Sequence, residues 1–414
     1  MPSHTEHWIL NVGAHAESSA ELLDGLCAHL NAHGFDLLRV NMQVRTPHPE
    51  VHVQLFIWRP AAAEAEMAFS GLVVSETAHT QRIGLVQEIA ISRAMLTSEV
   101  YLRSPVAELY AGSPRVRCRI AVDATTFAYP ILADMHAHQG TDYLALPMRL
   151  GNGLPSAFTV VTRKVGGFTD ADIAELDDLL PALTLVNAVH SARHASRTLL
   201  HTYLGKTPGE LVLSGRILRG DVQLLEAAIW FSDLRGFTEL TEVQAPGEMI
   251  VWLNEYFGAI AEPIQRHGGE ILKFIGDAVL AVFPITEDRP RAQVCEHALM
   301  AARQAHQALS ELNQQRAQRG QPVLAHGIGL HVGAVQFGNI GAERRLDFTV
   351  IGQAVNLASR IESLCGKLGR RTLASAEVAE LAGLAGGGLE RVGTFQLKGI
   401  AEAQQVYGLA DETP

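Results

Sequence analysis

The stretch GGEILKFIGDAVLAVFP, residues 268–284, contains two apolar runs on either side of a Gly-Asp pair. Two strand-like runs separated by Gly276 and Asp277 predict a tight β-hairpin. Asp277 would then lie at the tip of the hairpin, where two apolar strands stop.

A second carboxylate occupies a similar position earlier in the chain. In LLEAAIWFSDLRGFTEL, residues 224–240, the run from Ala227 to Phe231 predicts a buried strand, and Asp233 follows where that strand should end. A carboxylate at that position is costly unless it is paired or bound to a metal ion. An amphipathic helix between this strand and the hairpin predicts a palm-like, ferredoxin-like α+β fold. Two strand-end aspartates could hold two divalent ions, Mg²⁺ or Mn²⁺. The alternative is two separate turn aspartates.

A third motif, RRLDFTVIGQAVNLASRIESL at residues 344–364, predicts a strand from Phe348 to Ile351 and a helix from Ala354 to Leu364. Asn356 and Arg360 are four positions apart, so they share one helix face. An arginine there can stabilise charge that develops on a phosphate. The alternative is a solvated arginine.

Taken in this order and spacing, the three motifs resemble the catalytic domain of class III nucleotidyl cyclases over residues 223–410. The resemblance implies conversion of a nucleoside triphosphate into a 3′,5′-cyclic monophosphate and pyrophosphate. In that family the site lies between two catalytic domains, so a chain with both halves filled is expected to act as a homodimer.

The resemblance also implies roles for individual positions. The expected metal ligands are Asp233, Asp277 and the carbonyl of Leu234. The expected substrate contacts are the phosphate loop Gly236, Phe237 and Thr238, the base-reading pair Lys273 and Thr349, the ribose- and transition-state-binding Asn356 and Arg360, and Lys398 at the triphosphate. Lys398 has the alternative of a solvated charge. Asp347 is set aside, because it lies two positions before the base-reading residue. The acceptor of the 3′-hydroxyl proton, Asp233 or water, stays open.

The base-reading pair favours ATP. Lys273 can donate to a ring nitrogen of adenine, and the Thr349 hydroxyl can accept from the 6-amino group. Guanine reverses this pattern, and each buried polar group left unpaired costs about 1–3 kcal/mol. The prediction is an adenylate cyclase, with a guanylate cyclase or a catalytically silent nucleotide-binding module as alternatives. Threonine at the position of Thr349 is linked in the family to stimulation by bicarbonate.

The N-terminal half reads as a mixed α/β domain over residues 1–195. The expected elements are a helix at 14–31, strands at 35–44, 51–58, 143–148 and 157–162, a turn at Pro47 and Pro49, and a long exit helix after Thr169. Pro181 is expected to kink or split that helix. Residues 140–195 resemble the end of a GAF-type sensor domain, which implies regulation by an unidentified ligand or signal. The alternative is a docking or dimerisation domain.

Residues 196–222 are apolar and rich in turn residues, which predicts an ordered junction between the two domains. The 414-residue chain has 33 Lys and Arg against 44 Asp and Glu, a formal charge of −11, which disfavours nucleic-acid and membrane-surface partners. We expect no signal peptide and no membrane insertion, because no stretch reaches 18 apolar residues. Four cysteines without a CxxC pair favour a reduced, cytoplasmic protein.

Overall fold

The computed structural model describes residues 3–45, 51–61, 80–92, 97–149, 155–216, 218, 220, 222–237, 246–343, 345–383 and 388–410. The chain divides into two compact units, Met1–Leu199 and Leu200–Pro414. Within the described ranges, each helix is too short or too polar to cross a bilayer.

The first unit is a seven-stranded sheet with helices on both faces. Its elements are α1 (His4–Asn11), α2 (Ser19–Ala32), β1 (Leu37–Arg45), β2 (Val51–Trp58), β3 (Thr80–Ile83), β4 (Val86–Ser92), α3 (Glu99–Leu102), α4 (Pro105–Tyr110), β5 (Val116–Arg119), α5 (Pro130–Ala137), β6 (Asp142–Arg149), β7 (Pro155–Thr162) and α6 (Asp170–Leu204). The strand order is β3-β4-β2-β1-β7-β6-β5.

The alternation of apolar residues along the strands explains the layers of this unit. Leu144 and Leu146 of β6 pack on the side of α2 and α6, whereas Tyr143 and Ala145 join the cluster of α4 and α5. Successive side chains of a strand point to opposite faces, so one strand supplies both clusters. The result is a buried sheet between two helical layers.

The predicted elements of this unit are largely confirmed. The helix expected at 14–31 is α2, and the four expected strands are β1, β2, β6 and β7. The turn at Pro47 and Pro49 lies outside the described residues. All strand pairs described in this unit are antiparallel, so it is α+β rather than α/β.

The exit helix is not split at Pro181, because α6 runs as one helix of 35 residues with that proline inside it. The Thr169 hydroxyl caps its start by accepting from the Asp172 backbone N–H at 3.1 Å. Leu179 and Leu183 on either side of the proline are fully buried. Their burial offsets the one backbone hydrogen bond that a helical proline removes.

The second unit begins with the end of the junction and contains a second, larger sheet. Its elements are α7 (Lys206–Leu213), β8 (Val222–Leu234), α8 (Pro246–Arg266), β9 (Glu270–Ile275), β10 (Ala278–Pro284), α9 (Arg291–Gln318), β11 (His326–Ala342), β12 (Arg345–Ile351), α10 (Gln353–Cys365), β13 (Thr372–Ser375), α11 (Ala376–Leu381), β14 (Leu389–Phe395) and β15 (Gln404–Leu409). The strand order is β14-β15-β13-β11-β8-β10-β9, and β12 pairs with β11.

The core of this sheet has ferredoxin-like topology. The chain order β8-α8-β9-β10-α9-β11 is the βαββαβ motif, and the strands lie in the order β11-β8-β10-β9 with antiparallel pairing throughout. Helices α8 and α9 pack on the face that contains Ala228 and Trp230. Ala354 and Ala358 of α10 pack on the opposite face, beside Ala227 and Ile229. The predicted strand, hairpin and helix are thereby confirmed.

Replacement of Gly329 by alanine is expected to destabilise this unit. A Cβ at this position of β11 would lie 2.4 Å from the Ala358 carbonyl oxygen and 2.5 Å from the Glu362 nitrogen, both of the α10 backbone. Forcing the helix away should cost about 1–3 kcal/mol, measured as a lower denaturant midpoint. Gly258→Ala is the control, since its Cβ would meet no atom of the described residues within 4 Å beyond the backbone of its own helix. Equal midpoints for Gly329→Ala and wild type would contradict this packing.

Candidate active site

The register of the central strands brings the two predicted metal ligands together. Ser232 of β8 lies opposite Val279 of β10, so Asp233 and Asp277 occupy the same end of two adjacent antiparallel strands. Gly276, with φ of 66°, and Asp277 form the two-residue connection of the β9–β10 hairpin. That positive φ suits glycine, which has no Cβ to clash in the left-handed region.

The electrostatics of this pair suit a divalent cation. Burial and the neighbouring Asp277 carboxylate raise the pKa of Asp233 from 3.8 to about 7. The Oδ1 atom of Asp233 is buried and has no hydrogen-bond partner among the described residues. A cation between the carboxylates would relieve their repulsion and complete the coordination of that oxygen. The Leu234 carbonyl belongs to the last residue of β8, directly beside Asp233.

Two charged residues that the sequence analysis did not assign lie beside the pair. Glu362 of α10 is 8% exposed, and burial together with Asp233 raises its pKa to about 7, while Arg235 opposes the shift. A Cβ on Gly327 would meet both the Arg235 guanidinium and the Glu362 carboxylate at 2.5 Å. Because Gly327 has no side chain, Arg235 and Glu362 can both pack against it, near Asp233 and Asp277.

A buried hydrogen-bonded network holds the end of β8 in place, next to Asp233. The Tyr256 hydroxyl lies 3.4 Å from Ser232 Oγ and 3.3 Å from His326 Nδ1. His326 continues to His306 at 2.8 Å, and His306 reaches the Thr372 hydroxyl at 2.6 Å. Burial, with His306 and nearby arginines, lowers the pKa of His326 well below its usual value. The network ties β8 to α8, β11, α9 and β13.

The predicted base-reading residues lie on two strands that contact each other, β9 and β12. The Lys273 ammonium forms an ion pair with the carboxylate of Asp347, the residue that the sequence analysis set aside. Thr349 is two positions beyond Asp347 on β12, so their side chains point to the same face. Asp347, which contacts Lys273, is therefore an addition to the expected set.

Removal of the Asp347 carboxylate should release Lys273 for a nucleotide. Both partners are partly exposed, and exposed ion pairs are worth about 0–1 kcal/mol, so we expect Asp347→Asn to lower KM for the nucleotide roughly two- to fivefold. The value of kcat should stay unchanged, because uniform binding alters KM alone. Steady-state kinetics with Glu343→Gln, an exposed carboxylate of the same hairpin, as the control checks this. A higher KM would instead make Asp347 a nucleotide-binding residue.

Asn356 and Arg360 lie on α10 and share one of its faces, as their spacing predicted. Both side chains are exposed. Glu362, two positions after Arg360, faces the Asp233 carboxylate. Two helical positions correspond to a rotation of about 200°, so Arg360 points away from the aspartates of its own chain.

The remaining predicted residues are only partly placed. Gly236 and Phe237 directly follow the strand end, and Thr238 lies outside the described residues. Gly236 has φ of 67°, which turns the chain after β8. Lys398 is exposed between β14 and β15, and its neighbour Leu397 packs with Leu357 and Ile361 of α10.

Residues 223–410 match the family model described as "Adenylate and Guanylate cyclase catalytic domain". This part of the chain is therefore a class III adenylate/guanylate cyclase catalytic domain, with a ferredoxin-like core and carboxylates at the ends of its central strands.

Two curated relatives are similar to part of this chain. Adenylate cyclase 1 of Rhizobium meliloti (strain 1021) is 27% identical over 336 residues, which cover 79% of this chain and 48% of the relative. The adenylate cyclase of Anabaena cylindrica is 39% identical over 154 residues, which cover 36% of this chain and 29% of the relative. The chain thus spans less than half the length of these two relatives.

Two solved structures are also similar to the C-terminal unit. The guanylyl cyclase Cya2 is 34% identical, with a TM-score of 0.40 and coverage of 47% of this chain and 94% of that chain. The adenylyl cyclase CyaB from P. aeruginosa is 29% identical, with a TM-score of 0.41 and coverage of 47% and 97%.

Proposed function

We propose that this protein is a signal-regulated adenylate cyclase that converts ATP into 3′,5′-cyclic AMP and pyrophosphate. The observation that carries the proposal is the pairing of β8 with β10, which brings Asp233 and Asp277 to one strand end. Both curated relatives reported above are adenylate cyclases.

The proposed reaction is an in-line displacement at the α-phosphorus. The ribose 3′-oxygen forms the new bond, the bond to the β-phosphate oxygen breaks, and pyrophosphate leaves. Asp233, Asp277 and the Leu234 carbonyl would hold two divalent ions, Mg²⁺ or Mn²⁺, which supply a lowered pKa for the 3′-hydroxyl and neutralise phosphate charge. Asp233 or water takes the proton.

The other residues of this chain bind and orient the substrate. The backbone N–H groups that follow β8, at Gly236 and Phe237, are suited to phosphate oxygens, with Thr238 next in sequence. Lys273 and Thr349 select adenine, which requires the Lys273 ammonium to leave Asp347. Lys398 is proposed to contact the triphosphate, since the loop beside it packs on α10.

Two chains are proposed to share each site. The exposed side of α10 presents Arg360 away from its own Asp233, so this arginine and Asn356 complete the site of a second copy. A twofold homodimer would contain two equivalent sites. We further propose that the N-terminal unit is a GAF-like sensor and that the α6–α7 segment transmits its state to the catalytic unit.

The test is a product assay on the purified full chain with ATP and with GTP, in Mg²⁺ and in Mn²⁺, with and without bicarbonate. Cyclic AMP from ATP, at a rate well above that of cyclic GMP from GTP, supports the proposal. Preferential formation of cyclic GMP would identify a guanylate cyclase. Nucleotide binding without product under every condition would identify a silent module.

A further inference from the structure

Three histidines of the N-terminal unit form a cluster outside the catalytic site. His29 lies in the last turn of α2 and His33, four positions further on, is the C-cap residue of that helix. His4 approaches them from the first turn of α1. One ligand atom from each histidine can be chosen so that all three lie within 4.8 Å of one another.

The spacing of the nitrogens matches a metal centre. His4 Nδ1 lies 3.3 Å from His29 Nε2. Zinc–nitrogen bonds of about 2.0–2.1 Å at a tetrahedral angle place two ligand nitrogens about 3.3–3.4 Å apart. The ring centroids of His33 lie 4.4 Å from His29 and 4.6 Å from His4, so the third imidazole is equally near.

The surroundings orient two of the rings. His33 Nδ1 lies 2.8 Å from the His29 carbonyl oxygen, so it donates its proton there and leaves the lone pair on Nε2. Trp8 stacks on His29 with 5.0 Å between the ring centroids. Glu175 of α6 accepts from the Thr5 backbone N–H at 3.0 Å and thereby holds the start of α1.

We propose that His4, His29 and His33 bind one transition-metal ion of the Zn²⁺ class, with water as the fourth ligand. Imidazole nitrogens suit zinc, copper and nickel, whereas Mg²⁺ takes oxygen ligands, so this site differs in chemistry from the catalytic carboxylates. The bound ion would cross-link α1 to α2 beside Glu175 of the long helix α6. The competing explanation is a metal-free hydrogen bond between His4 and His29.

The test measures Zn²⁺ binding to the full chain by equilibrium dialysis in excess Mg²⁺. We expect one Zn²⁺ per chain in wild type and in Asp277→Asn, which disables the carboxylate site. His4→Ala and His33→Ala, both at exposed positions, should weaken binding at least roughly 100-fold, since even outer-shell changes cost about 10–100-fold. His7→Ala, an exposed histidine of α1 outside the cluster, should bind as wild type does.

Cobalt provides an independent readout of the ligands. Co²⁺ bound at this site should give the intense visible absorption of a tetrahedral nitrogen-ligated ion, and that absorption should disappear in His33→Ala. Zn²⁺ binding that is equal in wild type, His4→Ala and His33→Ala would overturn the proposal, as would the absence of a Zn²⁺ complex that survives gel filtration. Cyclase activity enters neither readout, so this proposal stands or falls separately from the proposed function.

Discussion

Asp277→Asn is expected to abolish cyclic-nucleotide formation and to stabilise the metal-free protein. Metal ions contribute several kcal/mol of transition-state stabilisation, so the loss of one carboxylate ligand should lower kcat about 10³-fold or more. The same change removes the carboxylate that faces Asp233. Burial and the Asp277 carboxylate together raise the pKa of Asp233 to about 7. After allowance for solvent screening at this half-buried pair, the gain in the free energy of unfolding should be about 1 kcal/mol.

The stability of the metal-free protein should also depend on pH, and Asp277→Asn should weaken that dependence. The folded metal-free protein holds the Asp233 proton more tightly than the unfolded chain, because the pKa rises from 3.8 to about 7. Stability should therefore fall as the pH increases from about 4 to about 7. The slope should be smaller in Asp277→Asn, although Glu362, whose pKa is also raised to about 7, keeps part of it.

Thermal denaturation in the presence of a chelator, at several pH values, measures the gain in stability and its pH dependence. Asp288→Asn, which changes an exposed carboxylate after β10, is the matched control. A less stable Asp277→Asn protein would show that the two carboxylates do not repel each other in the metal-free fold. Retention of activity in this variant would contradict the metal-ligand role.

The catalytic fold was predictable because its signals are local. The apolar run Ala227–Phe231 in β8 and the Gly276–Asp277 turn each specify an element within a few residues, and their order then gives the βαββαβ motif. Glu362 was missed, although its position on the buried face of α10 beside Ile361 and Cys365 was a signal. A carboxylate on the apolar face of an amphipathic helix requires a charged or polar neighbour, here Arg235.

Other features depend on contacts between distant parts of the chain. The ion pair of Lys273 with Asp347 follows from the placement of β12 beside β9, which neither strand's own sequence specifies. His4 meets His29 only because α1 folds back on α2, and no motif spacing indicates this contact. Pro181 shows the opposite case: a strong local signal for a break is overridden by burial of the helix around it.

Arg360→Ala is expected to lower kcat about 10²–10³-fold, as the loss of one group that stabilises transition-state charge does in other enzymes. The helix geometry makes a sharper prediction, because Arg360 points away from the aspartates of its own chain. An equal mixture of Arg360→Ala and Asp277→Asn chains should regain activity. In a mixed dimer, intact aspartates of one chain meet the intact arginine of the other.

The expected recovery follows from subunit statistics. Half of the dimers in a freely exchanging mixture contain one chain of each kind, and each of these has one intact site of two, so activity should return to about a quarter of wild type. A mixture of Asp277→Asn with Asp233→Asn is the matched control. Both substitutions lie on the metal side of the site, so neither site of the mixed dimer is whole. Co-purification of two differently tagged chains establishes that exchange has occurred. If exchange is complete and the first mixture stays inactive, Arg360 does not act across a dimer interface, and the shared-site arrangement is wrong.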